Sequence, residues 1–222
     1  MDALALLIDF ILHVDRHLRV FVENYGAWVY ALLFAIVFVE TGLVVMPFLP
    51  GDSLLFITGA LAGAGLMNYP LAMAVLFVAA VAGNQTNYRI GRYFGPRVFQ
   101  WEHSRWFNRA AFDQAHNFYE RYGGVALVVG RFMPFVRTFA PFVAGVAAMG
   151  YRKFSFYDVT GGALWVGSLV TLGYLFGNVP IVKANLSLIV WLMIGIPGVL
   201  ALAGAWRAHH KAKQEAAARL PG

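Results

Sequence analysis

The sequence predicts an all-α polytopic membrane protein, and three observations carry that prediction. Of its 222 residues, 60% are hydrophobic and only 13% are charged, against about 45–50% and about 25% in soluble domains. The apolar residues gather in stretches near 27–49, 53–65, 70–83, 125–149, 156–176 and 186–206. The basic residues collect beside those stretches, from Arg89 to Arg121, at Arg152 and Lys153, and from Arg207 to Arg219, as cytoplasmic flanks of membrane segments do. A net charge of +6 so placed reads as topology and contact with anionic lipids, not as a nucleic-acid surface.

No polar linker divides the chain, so residues 1–222 read as one membrane domain. Residues 1–24 are interrupted by Asp9, His13, Asp15, Arg16, His17 and Arg19, which suits an amphipathic interfacial helix better than a signal peptide. Residues 27–88 read as a first hairpin plus a spanning helix. A crossing needs about 20 apolar residues, and the stretch 53–65 is too short for one. Residues 89–122 read as a cytoplasmic helical segment whose aromatics (Tyr93, Phe94, Phe99, Trp101, Trp106, Phe107) lie against headgroups. Residues 125–179 read as a second hairpin plus a spanning helix. Arg121 precedes the 125–149 stretch and Arg152 with Lys153 follows it, so both ends face the cytoplasm. Twenty-five residues cannot cross twice at 1.5 Å per residue, and the stretch is predicted to be re-entrant. A last span at 186–206 then returns the basic tail, 207–222, to the cytoplasm.

A faint internal repeat supports two related halves. Met46-Pro47-Phe48 recurs as Met133-Pro134-Phe135, and Gly59-Ala60-x-Ala62 resembles Gly145-Val146-x-Ala148. Ile90-Gly91-Arg92-Tyr93-Phe94-Gly95 resembles Leu172-Gly173-Tyr174-Leu175-Phe176-Gly177. With the first spanning helix running inward and the second outward, the repeat is inverted, as in transporters whose sites form at broken helices near the midplane.

Four charges stand out within the apolar stretches. Glu40 follows a dozen apolar residues, roughly 18 Å of helix below Trp28. An ionised carboxylate there costs about 2.5–3.5 kcal/mol, which a cationic partner or a proton relieves. Asp52 follows Pro47-Phe48-Leu49-Pro50-Gly51, where one helix stops and Asp52-Ser53 caps the next. The start of a buried half-helix is also an anion or proton site. Arg131 and Arg137 flank Pro134, and Pro141 breaks the chain again, so both guanidinium groups are free to face one cavity. Glu40 and Asp52 are their expected counter-charges, and the guanidinium fork also suits phosphate oxygens.

Other polar residues read as structural. Asn84, Gln85, Thr86 and Asn87 end a span and reach the interface, Asp158 caps a helix, and Gly161-Gly162 allows close helix packing. There are no cysteines, and His103 and His116 lack metal spacing, so no metal or cofactor is expected. All six histidines lie outside the deep apolar segments, which argues against a lipid phosphatase with a His nucleophile. The chain is not expected to be an enzyme.

Glu40-Thr-Gly with Pro47-x-x-Pro50-Gly51-Asp52-Ser53, Arg131-Phe-x-Pro134-x-x-Arg137-Thr138-x-x-Pro141-x-x-Ala144-Gly145, and Gly161 with Trp165 together resemble the DedA family over roughly residues 5 to 205. The resemblance implies a multi-pass protein of the bacterial inner membrane that flips undecaprenyl phosphate and is tied to the proton-motive force. Distant eukaryotic relatives scramble phospholipids. It makes Glu40 and Asp52 the proton-coupling residues and Arg131 and Arg137 the phosphate-binding ones. Pro47, Pro50, Gly51, Pro134, Thr138, Pro141 and Gly145 become the residues that shape the hairpins. Many relatives carry an acidic residue where this chain has Asn84, so a third carboxylate on the proton path is not expected here. The implied partners are a polyprenyl phosphate or phospholipid, protons and anionic lipids; homo-oligomerisation is left open. The competing transport readings are a proton-coupled carrier of small ions or drugs and a passive phospholipid scramblase.

Overall fold

The computed structural model describes residues 24–43, 51–98, 123–177 and 179–180. These form six helices and no strand: α1 (Trp28–Gly42), α2 (Gly51–Gly63), α3 (Tyr69–Val98), α4 (Val125–Gly130), α5 (Pro134–Val146) and α6 (Tyr151–Phe176). Outside the described residues lie Pro47, Pro50, the last span 186–206, the tail 207–222, most of 89–122, and all but residue 24 of the expected N-terminal helix. The limit drawn at residue 88 is no break, because α3 continues to Val98.

Two helices, over Tyr69–Phe94 and Tyr151–Phe176, are each 26 residues long and apolar enough to cross a membrane. At 1.5 Å per residue each spans about 39 Å, beyond the roughly 30 Å of hydrocarbon. They run antiparallel. Tyr69 Oη lies 2.8 Å from Thr171 Oγ1 at one end, and Tyr88 stacks on Phe154 with ring centroids 4.2 Å apart near the other.

The shorter helices form two pairs, one at each end of this frame. With 15 and 13 residues, α1 and α2 reach only about 20 Å. Tyr30 near the start of α1 accepts a hydrogen bond from the Asn68 amide, 2.8 Å away, just after α2 ends. Where α1 ends, the Glu40 carboxylate lies against Gly51, the first residue of α2. The pair therefore opens and closes at the Tyr69 end and reaches inward. In the second pair, Gly124 packs on Tyr157 before α4, and Tyr88 Oη donates to Met149 O after α5. That pair opens at the Tyr88 end and turns at Arg131-Phe132-Met133.

One C-terminal device ends both returning helices. Gly65, at φ +79, donates to Ala62 O while Leu66 donates to Leu61 O, each at 3.0 Å; this is a Schellman cap. Ala148 repeats it at φ 55, donating to Gly145 O while Met149 donates to Ala144 O. Asn68 then starts α3 by accepting the Leu71 amide on its side chain at 2.9 Å.

The glycines of the internal repeat explain how the halves join. A Cβ on Gly59 of α2 would meet Val170 O of α6 at 2.1 Å, and one on Gly173 of α6 would meet Phe56 O of α2 at 2.0 Å. The same relation links α5 to α3, where a Cβ on Gly145 would sit 2.2 Å from Tyr88 O and one on Gly91 would sit 2.1 Å from Phe142 O. Each returning helix thus lies backbone to backbone on the long helix of the other half, a close approach only glycine permits. Leu33, Val37, Leu54, Leu76, Trp165 and Val170 fill the larger core around the first pair, and Tyr88, Leu127, Ala144 and Phe154 fill the smaller one around the second. Val78, Leu164, Leu175 and Phe176 stay exposed on the long helices.

Candidate functional site

The inner ends of the two pairs meet, and three of the four singled-out charges, Glu40, Asp52 and Arg137, meet there too. Arg137, in the first turn of α5, donates through Nη2 to Glu40 Oε1 and through Nη1 to Asp52 Oδ1. Glu40 is 1% exposed and Arg137 7%, so this contact is charge-assisted and shielded from water. Asp52, in the first turn of α2, also accepts the indole N–H of Trp165 at 2.9 Å. The Trp165 ring lies beneath the same guanidinium, 4.9 Å from Cζ to centroid, a cation–π distance. Helix breaking places Arg137 here. Pro134 is the first residue of α5, but the second break expected at Pro141 is absent: the helix runs through Pro141 to Val146, and Pro141 only withholds the amide that would bond the Arg137 carbonyl.

Arg131 goes elsewhere. Its Nη2 donates to Asp158 Oδ1 on α6, and both side chains are buried. Asn84 Nδ2 reaches the same oxygen at 2.9 Å, and Gln85 Nε2 reaches Oδ2 at 2.8 Å. The two arginines, expected to face one cavity with Glu40 and Asp52, thus hold different partners. Asp158 is not a cap. It lies eight residues into the helix numbering from Tyr151, is 2% exposed, and is a third acid at the depth where only two were expected.

The Asn84–Asn87 run does not end a span at the interface. Asn84 and Asn87 are buried in the middle of α3. Asn87 Nδ2 donates to Thr41 O at 3.2 Å and to Thr138 O at 2.8 Å, joining the residue after Glu40 to the residue after Arg137. Gly161 and Gly162 pack closely, as expected, with Arg131 crossing both. Thr138 is buried at this junction, and Gly145 makes the α3 contact described above.

The charge count is uneven. Glu40, Asp52 and Asp158 are three carboxylates, and Arg131 and Arg137 are two guanidinium groups. The Arg131–Asp158 pair is neutral, so the surplus negative charge belongs to Glu40, Asp52 and Arg137. One proton on that trio neutralises it. Among the described residues no group of three or more His, Cys, Asp or Glu could hold a metal ion.

Comparison with known proteins adds the family context. Residues 49–175 match the VTT domain. The chain is 50% identical over 206 residues to "Protein DedA" of Escherichia coli K12, covering 92% of this chain and 93% of that one. It is 40% identical over 185 residues to an uncharacterised membrane protein of Mycobacterium leprae, covering 83% of each. It is also 40% identical over 180 residues to the inner membrane protein YqjA of Escherichia coli K12, covering 79% of this chain and 80% of that one. No solved structure matches.

Proposed function

The chain belongs to the VTT-domain (DedA) family of membrane proteins, and on that premise we propose that it is a transporter of the bacterial inner membrane that moves a lipid phosphate, undecaprenyl phosphate or a close polyprenyl relative, with the proton-motive force. The observation that carries the reading is the trio in which the buried Arg137 guanidinium is shared by the buried Glu40 and the half-buried Asp52 where two helical pairs meet. Opposite charges at membrane depth are costly and are typical of transport and proton pathways. In this reading α1/α2 and α4/α5 are re-entrant hairpins from opposite leaflets, α3 and α6 span, and the basic tail is cytoplasmic.

The trio supplies an exchange. With Glu40 and Asp52 charged, Arg137 is occupied. Protonating them frees the guanidinium fork for phosphate oxygens, with the positive charge of Arg131 behind it, while the lipid tail stays in hydrocarbon. Deprotonation restores the ion pairs and expels the phosphate. No bond is made or broken, so the protein acts as a carrier and not as an enzyme.

The test is transport of polyprenyl phosphate in inside-out vesicles at matched protein levels. Arg137→Ala is expected to lose at least about 90% of the rate, since removing one partner of a buried hydrogen-bonded charge pair costs about 2–5 kcal/mol. Arg137→Lys should recover only part of it, because the ammonium keeps the charge and loses the fork. Wild-type rates in Arg137→Ala would sink the proposal.

A further inference from the structure

The pair formed by Arg131 and Asp158 is built unlike the trio. Three donors converge on the Asp158 carboxylate: Arg131 and Asn84 on one oxygen, Gln85 on the other. They come from the turn before α5 and from the middle of α3, while Asp158 itself is on α6. The pair is neutral, buried, and joins three elements at one point. The Arg131 stem is pressed against Gly161, and its Nη1 would lie 2.9 Å from a Cβ on Gly162. A group held this way is a fixed post. Arg137 instead sits between two acids that together outnumber it, which is the arrangement of a group that changes partners.

We infer that Asp158 is a positioning residue of the membrane site: by locking Arg131 with the help of Asn84 and Gln85, it fixes the 131–133 turn that aims Arg137 at Glu40 and Asp52. Arg131 then acts through geometry and not as a phosphate ligand. Only two residues, Phe132 and Met133, separate Arg131 from the start of α5, and Arg137 lies in the first turn of that helix. Displacing the post therefore rotates or shifts Arg137 directly. The inference rests on the reading above for Arg137 and revises the role expected of Arg131.

The contact between Asn84 and Asp158 supplies the experiment. Their polar atoms are 2.9 Å apart, so a carboxylate at position 84 reaches the place where Arg131 now bonds, and the amide and the acid are interchangeable in shape. Asp158→Asn should lower polyprenyl-phosphate transport at least tenfold, with binding of the lipid phosphate no tighter than in wild type. The exchange Asn84→Asp with Asp158→Asn should bring transport back to within about threefold of wild type. Melting of the purified protein should follow the same order, lowest in Asp158→Asn and recovered in the exchange.

If Arg131 were instead a ligand held in reserve, Asp158→Asn would free it and tighten lipid-phosphate binding, which overturns the inference. Failure of the exchange to restore melting overturns it as well, as does a wild-type rate in Asp158→Asn. The melting series does not depend on the cargo. Should wild-type vesicles move no lipid phosphate, the transport reading falls, while the lock is still decided by whether the exchange restores stability.

Discussion

Replacing Arg137 by Met gives the sharpest test of the charge arrangement, because stability and function should then separate. The substitution keeps an unbranched apolar stem and removes the only cation shared by Glu40 and Asp52. The two carboxylates are then left facing each other. Asp52 retains a donor in Trp165 and a side chain 25% exposed, so it recovers part of its solvation. Glu40, at 1%, recovers none and dominates the cost. Breaking a buried pair by removing one partner costs about 3–5 kcal/mol. For a chain of this size that is a fall in melting temperature of about 6–20 °C. Glu40→Gln acts in the opposite sense. It removes the surplus charge from the trio while Arg137 keeps Asp52, so melting should be equal to or up to about 4 °C above wild type. Proton-driven transport should nevertheless collapse, a trade of stability for function common at charged sites. Tryptophan fluorescence of the detergent-purified protein is the assay, with the Trp165 ring against the Arg137 guanidinium as a local reporter. If Arg137→Met melted within about 2 °C of wild type, or Glu40→Gln fell as far as Arg137→Met, the charge reasoning would be wrong.

Other consequences are local. Ala148 occupies a left-handed conformation that Gly65 fills in the first half, so Ala148→Gly should raise stability by about 0.5–1 kcal/mol and Gly65→Ala should lower it by about 1, read as melting shifts. Gly145→Ala forces a Cβ to within 2.2 Å of Tyr88 O; the strain of about 1–3 kcal/mol should outweigh the roughly 1 kcal/mol gained in helix propensity. Asn87→Leu removes the donor bridging Thr41 O and Thr138 O. It should cost about 1–3 kcal/mol and slow transport more than an equally destabilising substitution at Leu33, which fills the core.

The parts legible from sequence were those where chemistry conflicts with surroundings. Glu40, Arg131 and Arg137 interrupt apolar runs, and nothing local accounts for them, so they announced a site. The short length of the 53–65 stretch and the proline at 134 likewise announced broken helices, whereas Pro141 lies inside α5 without breaking it. Asp158 and the Asn84–Asn87 run read as structural from sequence because they lie where a helix could equally begin or end, and residues of these types are ordinary caps and interface anchors. Their role depends on the antiparallel packing of α3 against α6, which brings positions 84 and 158 together across 74 residues of sequence. The extent of α3 misled for a related reason. A rise in polarity after Arg89 marks the end of an apolar stretch, but a helix continues as long as its backbone bonds are made, here to Val98. The repeat of Gly59, Gly91, Gly145 and Gly173 was visible as a pattern, yet its meaning lay in contacts between the halves.

That reciprocal packing is near-symmetric, while the chemistry it frames is complementary. The first pair brings Glu40 and Asp52, the second brings Arg131 and Arg137, and the long helices contribute Asp158 and the neutral amides of Asn84, Gln85 and Asn87. Like charges on both tips would repel where they meet; opposite charges draw the tips together. With three acids against two bases, the junction would carry one negative charge if all five were ionised, in a setting that disfavours net charge. A phosphate monoester brings between one and two more at neutral pH. On the proposed reading, binding therefore has to bring protons with it, at least one for each lipid phosphate bound. Adding polyprenyl phosphate to the purified protein in weakly buffered solution should alkalinise the medium by about one proton or more per site, and Glu40→Gln should reduce that uptake. Binding with no proton uptake by the wild type would mean that the carboxylates do not exchange with the cargo, and the coupling assigned to Glu40 and Asp52 would have to be abandoned.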